Sequence, residues 1–439
     1  MTENILTEFD SFFFLGIGGV SMSALAKILH MSGKKVAGCD RCESDYTAAL
    51  RNEGINVTIG NNVNFENFKV VVYTDALPES NAALIAARRQ NKVIISRGRL
   101  LSALSSTCKK TVAVAGCHGK TTCTAMLAHI FACAEVPFTS HIGGDDLTFS
   151  NAYSCGNDYF LTEACEYKKN FLYLTPDIAV VLNSDADHLD CYGSAENLKK
   201  AYLQFIGSAA QTVKLYGDLP EADGTTFGFD DRADYYAKKI RNVNGTFNFT
   251  VYEKGAELGK VSLSIYGKHN VLNALAATAA ARLCGIEFDK ISAGLSRFHG
   301  VKRRFERIGT HGGAVCIADY AHHPNEIKAA LKTARLITGG ELYVVFQPHT
   351  YSRTKDLFGN FVLALSSVKK LLIYKTFAAR EYYDDAGSAL TLSNFIKRSF
   401  YGDCETDIER FLSGAREGDT VLFLGAGDIY DIAKTLTDC

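Results

Sequence analysis

The 439-residue sequence has almost no net charge, few prolines and no long apolar run. A formal charge of −1 at pH 7 gives no electrostatic reason to bind nucleic acid or an anionic membrane surface. No apolar run approaches the roughly 20 residues that cross a bilayer, and the N-terminus lacks the basic segment of a signal peptide. With 47% hydrophobic residues and no low-complexity segment, the composition is typical of folded domains. We therefore expect a globular cytoplasmic protein.

The thirteen cysteines do not have the distribution of a disulfide framework. Their number is odd, and several lie within apolar strand or helix patterns, such as Cys133 and Cys316. Cys39 and Cys42 form a C-x-x-C pair with no second pair, so no zinc site is predicted. We expect reduced thiols.

The order of apolar segments and glycine turns predicts three α/β domains. Buried strands that end in a glycine turn and lead into a helix recur along the chain, which is typical of parallel sheets. We predict a Rossmann-like domain over residues 1–107, a central P-loop ATPase-type α/β domain over 108–305 and a C-terminal Rossmann-like α/β domain over 306–439. In the central domain, one strong helix pattern has Asn270 as its expected N-cap and Gly285 at its C-terminal end.

The first glycine turn follows the first predicted strand and reads GIGGVS. It resembles the G-x-G-x-x-G fingerprint with serine in the third position, and an aspartate ends the next strand. Backbone N–H groups and a helix N-terminus at such a turn can face a phosphate. On this pattern alone, a dinucleotide site, another nucleotide site and a structural turn all stay open. The residues concerned are Gly16, Gly18, Gly19, Val20, Ser21 and Asp40.

A second glycine loop lies between a strand that begins at Thr111 and an apolar helix pattern. It departs from a strict Walker A motif because Val114 stands where the first glycine would be. Its glycines would let the backbone wrap phosphates, its lysine would neutralise them and a threonine hydroxyl would bind Mg²⁺. We interpret it as a phosphate loop rather than a solvated helix start. Its residues are Gly116, Cys117, His118, Gly119, Lys120, Thr121 and Thr122.

Acidic residues and a histidine follow the next two predicted strands. Glu163 and Glu166 follow one strand, and His188 and Asp190 follow the other. A phosphoryl-transfer enzyme needs a carboxylate beside its Mg²⁺, and the carboxyl ends of parallel strands meet at one edge of the sheet. For Glu166 and Asp190, a plain solvated loop charge is an open alternative.

Histidines follow two strands of the third predicted domain, within DYAHHPNEI and FQPHTYSRT. Pro324 and Pro348 stiffen these loops in a chain with only six prolines. The pattern suggests a small-molecule site or a metal site, although histidine clusters are often structural. The residues concerned are Asp319, Tyr320, His322, His349 and Arg353.

Taken together, nine stretches in this order resemble the Mur ligase family. They span residues 16–429, and although several are weak singly, the ordered set is specific. The family's phosphate loop starts its glycine later than a Walker A motif, which accounts for Val114. The stretches are GIGGVSMSALA, GCHGKTTCTAM, EACEYKKNFL, NSDADHLD, GKHNVLNALAA, GVKRRFE, DYAHHPNEI, FQPHTYSRT and GAGDI.

The resemblance implies an ATP-dependent ligase of cytoplasmic peptidoglycan precursor synthesis. It is nearest to the branch that joins L-alanine to the lactyl carboxylate of UDP-N-acetylmuramate through an acyl phosphate, with release of ADP and phosphate. It implies ATP and one or two Mg²⁺ ions, with Mn²⁺ as a substitute, in a monomer or homodimer without nucleic-acid or membrane partners. The alternative is the recycling ligase that adds a murein tripeptide to the same sugar nucleotide. An NAD-dependent oxidoreductase or a regulatory protein without turnover would leave Lys120 and Glu163 unexplained.

The resemblance also assigns roles to individual residues. The first glycine turn, with Asp40, would hold the UDP part of the substrate, and the second glycine loop would hold ATP. Thr121 and Glu163 would bind the first Mg²⁺ and His188 the second. His269 and Asn270 resemble adenine contacts, and Arg304 and Asp319 resemble further ATP contacts. The amino-acid site would comprise Tyr320, His322, His349 and Arg353, and the catalytic set Lys120, Glu163, His188, His349 and Arg353.

Four residues depart from the family pattern. Ser21 replaces the third glycine of the first turn, and Cys165 stands within the usual EADE run. Ala318 occupies the place of a second aspartate. Thr350 stands where arginine is frequent, so it bears on the choice of amino acid.

Overall fold

The computed structural model describes residues 5–60, 63–185, 189–379 and 381–438. They form three sheets, of five, ten and six strands in chain order. The three-domain α/β class is therefore confirmed, whereas the domain boundaries at 107 and 305 stay predictions. Contacts divide the chain into two compact units. The first comprises Met1–Ile240, Phe249–Ser262 and Val271–His299, and the second Arg241–Asn248, Leu263–Asn270 and Gly300–Cys439.

The first sheet is parallel throughout, with strand order β3-β2-β1-β4-β5. The strand order reverses at β1, because β2 and β3 are added on one side of β1 and β4 and β5 on the other. The crevice of this α/β sheet therefore lies at the carboxyl end of β1, where the first glycine turn begins. The strands are β1 Ser11–Leu15, β2 Lys35–Asp40, β3 Asn56–Ile59, β4 Val70–Tyr73 and β5 Val93–Ser96; the helices are α1 Ile5–Glu8, α2 Val20–Met31, α3 Asp45–Asn52, α4 Ala82–Arg89 and α5 Arg97–Ser105.

The central sheet has the order β15-β14-β13-β12-β11-β10-β6-β9-β7-β8. Its strands are β6 Lys110–Ala115, β7 Phe138–Asp146, β8 Ser150–Ser154, β9 Tyr159–Glu163, β10 Ile178–Val181, β11 Gln211–Leu215, β12 Thr225–Gly228, β13 Tyr235–Val243, β14 Thr246–Glu253 and β15 Ala256–Tyr266. Its helices are α6 Lys120–Cys133, α7 Leu189–Tyr192, α8 Ala195–Gly207, α9 His269–Leu283 and α10 Phe288–Arg297, with a 3₁₀ segment at Tyr167–Tyr173.

One predicted helix start in the central region is wrong. The helix α9 begins at His269, so Asn270 lies inside its first turn rather than at the N-cap. The Asn270 side chain donates from Nδ2 to the Tyr266 carbonyl at 2.7 Å. The C-terminal end is as predicted, because Gly285 adopts a left-handed φ of +80° just after the helix.

The third sheet has the order β16-β17-β21-β18-β19-β20, antiparallel only between β16 and β17. Successive residues of its inner strands enter two different cores: Val344 lies in one, and its neighbours Tyr343 and Val345 lie in the other. Both faces are thus covered, as is usual for parallel sheets. The strands are β16 Glu306–His311, β17 Ala314–Asp319, β18 Leu342–Phe346, β19 Lys370–Tyr374, β20 Ser399–Gly402 and β21 Thr420–Leu424; the helices are α11 Pro324–Ile337, α12 Tyr351–Asp356, α13 Phe358–Leu365, α14 Ala389–Phe395, α15 Glu405–Leu412 and α16 Ile429–Thr435, with a 3₁₀ turn at Asp385–Gly387.

The first sheet and the central sheet share one hydrophobic core inside the first unit. Phe12 and Leu100 from the first sheet region belong to the same cluster as Phe160 and Phe205 from the central region. The Ser102 hydroxyl also donates to the carbonyl of Tyr173 across these regions, at 2.7 Å. Burial of apolar surface therefore fixes the two glycine turns in one compact body. Among the described residues, no helix combines the length and apolarity needed to span a membrane.

Candidate active site

The second glycine loop joins β6 to α6 at the centre of the largest sheet. Gly116 has a φ of +134° and Gly119, which precedes α6, has a φ of +87°. A Cβ atom on Gly119 would come within 2.5 Å of the Asn273 Oδ1 atom and 3.1 Å of Leu182. Both the backbone conformation and the close approach of α9 therefore require glycine at position 119.

Strand register brings the predicted polar residues beside this loop. In the parallel pair of β6 and β9, Val114 lies opposite Glu163, and Ala115 lies opposite the last residue of β10. Asn183 follows β10 and clamps the loop: its Oδ1 accepts from the His118 N–H group, and its Nδ2 donates to the His118 carbonyl, both at 3.0 Å. The sequence placed Asn183 at this strand end, but nothing in its pattern foretold this clamp.

Lys120 folds back onto its own loop and onto a buried carboxylate. Its Nζ donates to the carbonyls of Gly116 at 2.5 Å and Cys117 at 3.3 Å, and it lies 3.0 Å from both carboxylate oxygens of Glu166. The Glu166 side chain is only 1% exposed, so the interpretation of Glu166 as a solvated loop charge is wrong. Burial disfavours the charge on Lys120, but Glu166 and Cys165 outweigh it and raise the pKa of Lys120, which keeps the lysine cationic.

The donor set beside the loop fits Mg²⁺. Glu163 ends β9, and its Oε1 accepts from the Gly143 N–H group at 2.6 Å. A Cβ atom on Gly143 would overlap both carboxylate oxygens of Glu163, so glycine keeps space around them. Thr121 lies in the first turn of α6, and hydroxyl and carboxylate oxygens are ligands that Mg²⁺ prefers. His188, the predicted second ligand, lies outside the described residues.

The first glycine turn is braced by the aspartate that ends β2. Asp40 Oδ2 accepts from the Gly18 N–H group at 2.8 Å, and Oδ1 accepts from the Arg41 N–H group at 2.7 Å. A Cβ atom on Gly18 would approach Asp40 Oδ2 to 3.0 Å. Gly16 has a φ of +82°, and Gly19 precedes α2, whose first residue is Val20. Asp40 thus stabilises the backbone conformation of the turn through its hydrogen bond with Gly18.

Ser21, which replaces the third glycine, links α2 to α5 and to β7 by hydrogen bonds. Its Oγ accepts from Arg97 Nη1 at 3.2 Å and lies 2.8 Å from His141 Nε2. His141 lies on β7 of the central sheet, and its Nδ1 is 3.0 Å from Thr162 Oγ1. Burial, reinforced by Arg97, lowers the pKa of His141 to about 3, so the imidazole is neutral. No sequence pattern pointed to His141.

In the second compact unit, Asp319 ends β17 and is held by backbone donors. Its Oδ1 accepts from the Ala321 N–H group at 2.7 Å, and its Oδ2 accepts from the Phe305 N–H group at 2.8 Å. Burial raises the pKa of Asp319 to about 6, although Arg304 opposes the shift. The Arg304 guanidinium lies over the Tyr320 ring at 5.2 Å from its centroid. Asp319, Arg304 and Tyr320 therefore form one charged and aromatic group, and their roles in binding ATP and the amino acid stay predictions.

Two histidines and an arginine meet beside this group. The rings of His322 and His349 have centroids 5.8 Å apart. Arg353 Nη1 donates to the His349 carbonyl at 2.9 Å and lies 3.3 Å from His349 Nδ1. Burial lowers the pKa of both histidines, that of His349 to about 4, with Arg353 lowering it further. The cluster thus offers neutral imidazoles beside a permanent cation.

Other polar residues of these two loops have structural partners. His323 begins the capping box of α11, where its Nδ1 accepts from the Asn325 N–H group at 3.3 Å. The Thr350 hydroxyl donates to Glu381 at 2.7 Å, so this departure from the family pattern is tied to the following loop.

The predicted ATP residues are divided between the two compact units. Gly116 through Thr122 belong to the first unit with Glu163. His269, Asn270, Arg304 and Asp319 belong to the second unit. Their roles in nucleotide binding stay predictions.

Family models and curated relatives cover most of the chain. Residues 11–108 match the model of the Mur ligase family catalytic domain, 114–281 the Mur ligase middle domain, and 303–427 the Mur ligase glutamate ligase domain. The UDP-N-acetylmuramate–L-alanine ligase of Clostridium acetobutylicum is 40% identical over 440 residues, which cover 96% of both proteins. The ligase of the same name from Clostridium beijerinckii is 38% identical and covers 99% of both.

Solved structures agree with these matches. The UDP-N-acetylmuramate–alanine ligase of Thermotoga maritima is 29% identical, with a TM-score of 0.84 over 97% of this chain and 98% of that one. A murein peptide ligase from Psychrobacter arcticus has a TM-score of 0.76 over 97% of each chain. At 23% identity, the second likeness concerns the fold alone.

Proposed function

The chain belongs to the Mur ligase family, and we propose that it is an ATP-dependent ligase that joins L-alanine to the lactyl carboxylate of UDP-N-acetylmuramate. The observation that carries this proposal is the phosphate loop: it leads from β6 to Lys120 at the start of α6, and Glu163 ends β9, the neighbour of β6. The curated L-alanine ligases, at 40% and 38% identity over nearly full length, support the choice of amino acid. The recycling ligase has weaker support, because two structures of murein peptide ligases share 23% and 25% identity with this chain.

The first step activates a poor electrophile. A lactyl carboxylate oxygen attacks the γ-phosphorus of ATP, the bond to the β,γ-bridging oxygen breaks, and ADP leaves with that electron pair. Negative charge spreads over the transferred phosphoryl group, so a cation that is already in place stabilises the transition state. Lys120 is that cation in this chain, and the glycines at 116 and 119 let the loop backbone approach the phosphates.

The residues for a divalent ion are proposed on the same basis. Thr121 and Glu163 would hold one Mg²⁺, and His188 would hold a second. Mg²⁺, when bound, neutralises phosphate oxygens. Mn²⁺ is expected to substitute, because it accepts the same oxygen ligands.

The second step forms the amide. The amine of L-alanine attacks the acyl carbon, and phosphate leaves as the carbon–oxygen bond of the mixed anhydride breaks. The amine gives up a proton to water as the amide forms. His322 and His349 are neutral, because burial lowers the pKa of each, and they would lie beside the amine without adding charge. Arg353 would bind the alanine carboxylate, since a guanidinium matches a carboxylate with two hydrogen bonds.

The remaining assignments complete the proposal. The first glycine turn would hold the diphosphate of the sugar nucleotide, and residues 1–107, 108–305 and 306–439 would act as the UDP, ATP and amino-acid domains. We expect a cytoplasmic monomer or homodimer without nucleic-acid or membrane partners.

Phosphate release from Mg-ATP in the presence of UDP-N-acetylmuramate tests the proposal. L-alanine, L-serine, glycine and the L-Ala-D-Glu-diamino acid tripeptide are added separately. We expect release with L-alanine. Release driven by the tripeptide alone would assign the chain to the recycling reaction, and no release with any acceptor, despite binding of the sugar nucleotide, would contradict the ligase activity.

A further inference from the structure

Four side chains form a continuous hydrogen-bonded chain between the first glycine turn and the end of β9. Arg97 Nη1 contacts Ser21 Oγ at 3.2 Å, Ser21 Oγ contacts His141 Nε2 at 2.8 Å, and His141 Nδ1 contacts Thr162 Oγ1 at 3.0 Å. Ser21 and His141 are 120 positions apart in the sequence; Ser21 lies in α2, and His141 lies on β7 of the central sheet. Nothing in the roles given to the glycine turn or the phosphate loop uses this connection.

The direction of each hydrogen bond follows from its end group. A guanidinium only donates, so the Ser21 oxygen accepts from Arg97. At the other end a carbonyl only accepts, so the Thr162 hydroxyl uses its proton on the Glu163 carbonyl, at 3.1 Å, and accepts from His141 Nδ1. His141 Nε2 therefore accepts from the Ser21 hydroxyl. His141 and Thr162 are buried, and Arg97 and Ser21 are half-buried. A hydrogen-bonded chain of this kind stiffens the elements that it joins.

The strand β7 supports the proposed metal-binding carboxylate at two points. His141 contacts Thr162, and two residues later the Gly143 N–H group donates to the Glu163 carboxylate. At the other end of the chain of hydrogen bonds, Ser21 lies in the first turn of α2, directly after the glycine turn. His141 thus connects the helix that follows the first glycine turn to the strand that ends in Glu163.

A second polar bridge lies beside the first. Asn151 on β8 donates from Nδ2 to the Val20 carbonyl and to Ser23 Oγ, both at 2.8 Å. The first turn of α2 is therefore held by two neighbouring strands of the central sheet. Ser21 differs from Asn151 in that its connection continues to the end of β9.

We propose that Ser21 and His141 are positioning residues for acyl-phosphate formation. The inference rests on the proposed function, in which the first glycine turn holds the UDP diphosphate and Glu163 binds Mg²⁺. The bridge would fix the spacing between these sites, and with it the position of the lactyl carboxylate relative to the γ-phosphate. Displacement reactions are sensitive to this position, since a misplacement of about 1 Å reduces the rate by roughly 10²-fold.

Substitutions at Ser21, measured beside a matched control, test the proposal. Ser21→Ala removes the bridge, Ser21→Thr keeps the hydroxyl, and Ser102→Ala removes another serine bond between the same two regions that touches neither turn. The measurements are the first-turnover rate of ADP formation without L-alanine and the calorimetric Kd for UDP-N-acetylmuramate. We expect Ser21→Ala to slow the first turnover roughly tenfold with a Kd within about twofold of the wild type, because the bridge positions rather than binds. Ser102→Ala should retain the wild-type rate, and Ser21→Thr, which keeps the hydroxyl, should recover most of the rate that Ser21→Ala loses.

Other results would overturn the positioning role. Equal rates for Ser21→Ala and Ser102→Ala, or a loss confined to sugar-nucleotide affinity, would contradict it while the ligase activity stands. A wild-type protein that forms no ADP in the first turnover would contradict the proposed function itself.

A double-mutant cycle with His141→Gln and a tautomer measurement give independent readouts. The effects of Ser21→Ala and His141→Gln should be strongly non-additive, because either substitution breaks the same bridge. Additive effects would remove His141 from the mechanism. Nitrogen-15 spectra of histidine-labelled protein, with His141→Gln for assignment, should show the proton on Nδ1; a proton on Nε2 would contradict the direction of the chain.

Discussion

The two glycine turns of the first unit share one backbone plan but differ in how they are held. Each follows a buried strand and opens a helix, at Val20 in one case and Lys120 in the other. The first is braced by a carboxylate, because Asp40 accepts from Gly18. The second is clamped by an amide and carries a buried lysine that is paired with Glu166.

This difference matches two kinds of phosphate chemistry. A diphosphate that is only held can be bound by backbone N–H groups and a helix N-terminus, which need no mobile cation. A phosphoryl group that is transferred gains charge at its oxygens in the transition state, and a cation must already stand there. We infer that the first turn binds and the second turn both binds and catalyses.

Of these substitutions, Lys120→Ala should show the largest difference between the roles of the two turns. We expect turnover to fall by at least about 10³-fold, because the cation that stabilises the transferred phosphoryl group is lost, while the Kd for UDP-N-acetylmuramate stays unchanged. Phosphate release and calorimetry measure the two effects. Lys214→Met is the control, since Lys214 is also buried and donates to backbone carbonyls but lies on β11. Near-normal turnover in Lys120→Ala would end the phosphate-loop assignment.

Gly119→Ala should raise the KM for ATP by roughly tenfold or more. A left-handed φ costs a side-chain-bearing residue about 1–2 kcal/mol, and the new Cβ would also press on Asn273. Gly33→Ala is a matched control, because Gly33 has a φ of +82° and an alanine Cβ at that position would meet open space. It should lower the melting temperature without changing either KM. An equal rise of the KM for ATP in Gly119→Ala and Gly33→Ala would show that backbone strain, and not damage to the phosphate loop, is responsible.

Asn183→Ala should raise the KM for ATP by up to about tenfold. It removes two hydrogen bonds to His118, each worth roughly 0.5–1.5 kcal/mol. The KM for UDP-N-acetylmuramate should not change. Asn81→Ala, which removes the amide that caps α4, should affect stability alone. A shift in the sugar-nucleotide KM would mean that the two turns are not independent in binding.

Asp40→Asn should affect the KM for UDP-N-acetylmuramate and not the KM for ATP, and its effect should be the smallest of the four. Losing one of two carboxylate acceptors at the first turn is expected to raise the KM for UDP-N-acetylmuramate about fivefold, with the KM for ATP unchanged. Asp234→Asn serves as the control, because Asp234 likewise accepts from a backbone N–H group, that of Thr226, in the central sheet. An effect on ATP alone would reverse the assignment of the turns.

Local sequence patterns predicted the strands and helices near the site, and the strand-end rule predicted what lies beside the phosphate loop. Glu163 was expected there because parallel strands end at one edge, whereas its register opposite Val114 is seen only in the structure. Asn270 was misplaced because an asparagine near a helix start can serve either as a cap or inside the first turn. Its side chain found a carbonyl acceptor in Tyr266, which the sequence does not reveal.

Long-range partners were beyond the reach of the sequence. Glu166 was weighed as a solvated charge because its burial depends on Lys120, 46 positions away. Ser21 and His141 lie in regions that were predicted as separate domains. The periodicity of apolar residues does not predict a contact between side chains of two domains. What spacing cannot supply is the packing of one domain against another, on which these contacts depend.

The ion pair of Lys120 with Glu166 bears on how the ligase would finish its cycle. A phosphate at the loop competes with Glu166 for the same ammonium group, which lies 3.0 Å from the carboxylate oxygens. Orthophosphate makes few contacts apart from Lys120, so Glu166 should displace it. ATP also binds through its other phosphates and its nucleoside, so it should stay bound. The loop would thus resist inhibition by the inorganic phosphate of the cell and by its own product, and turnover would not stall on phosphate departure.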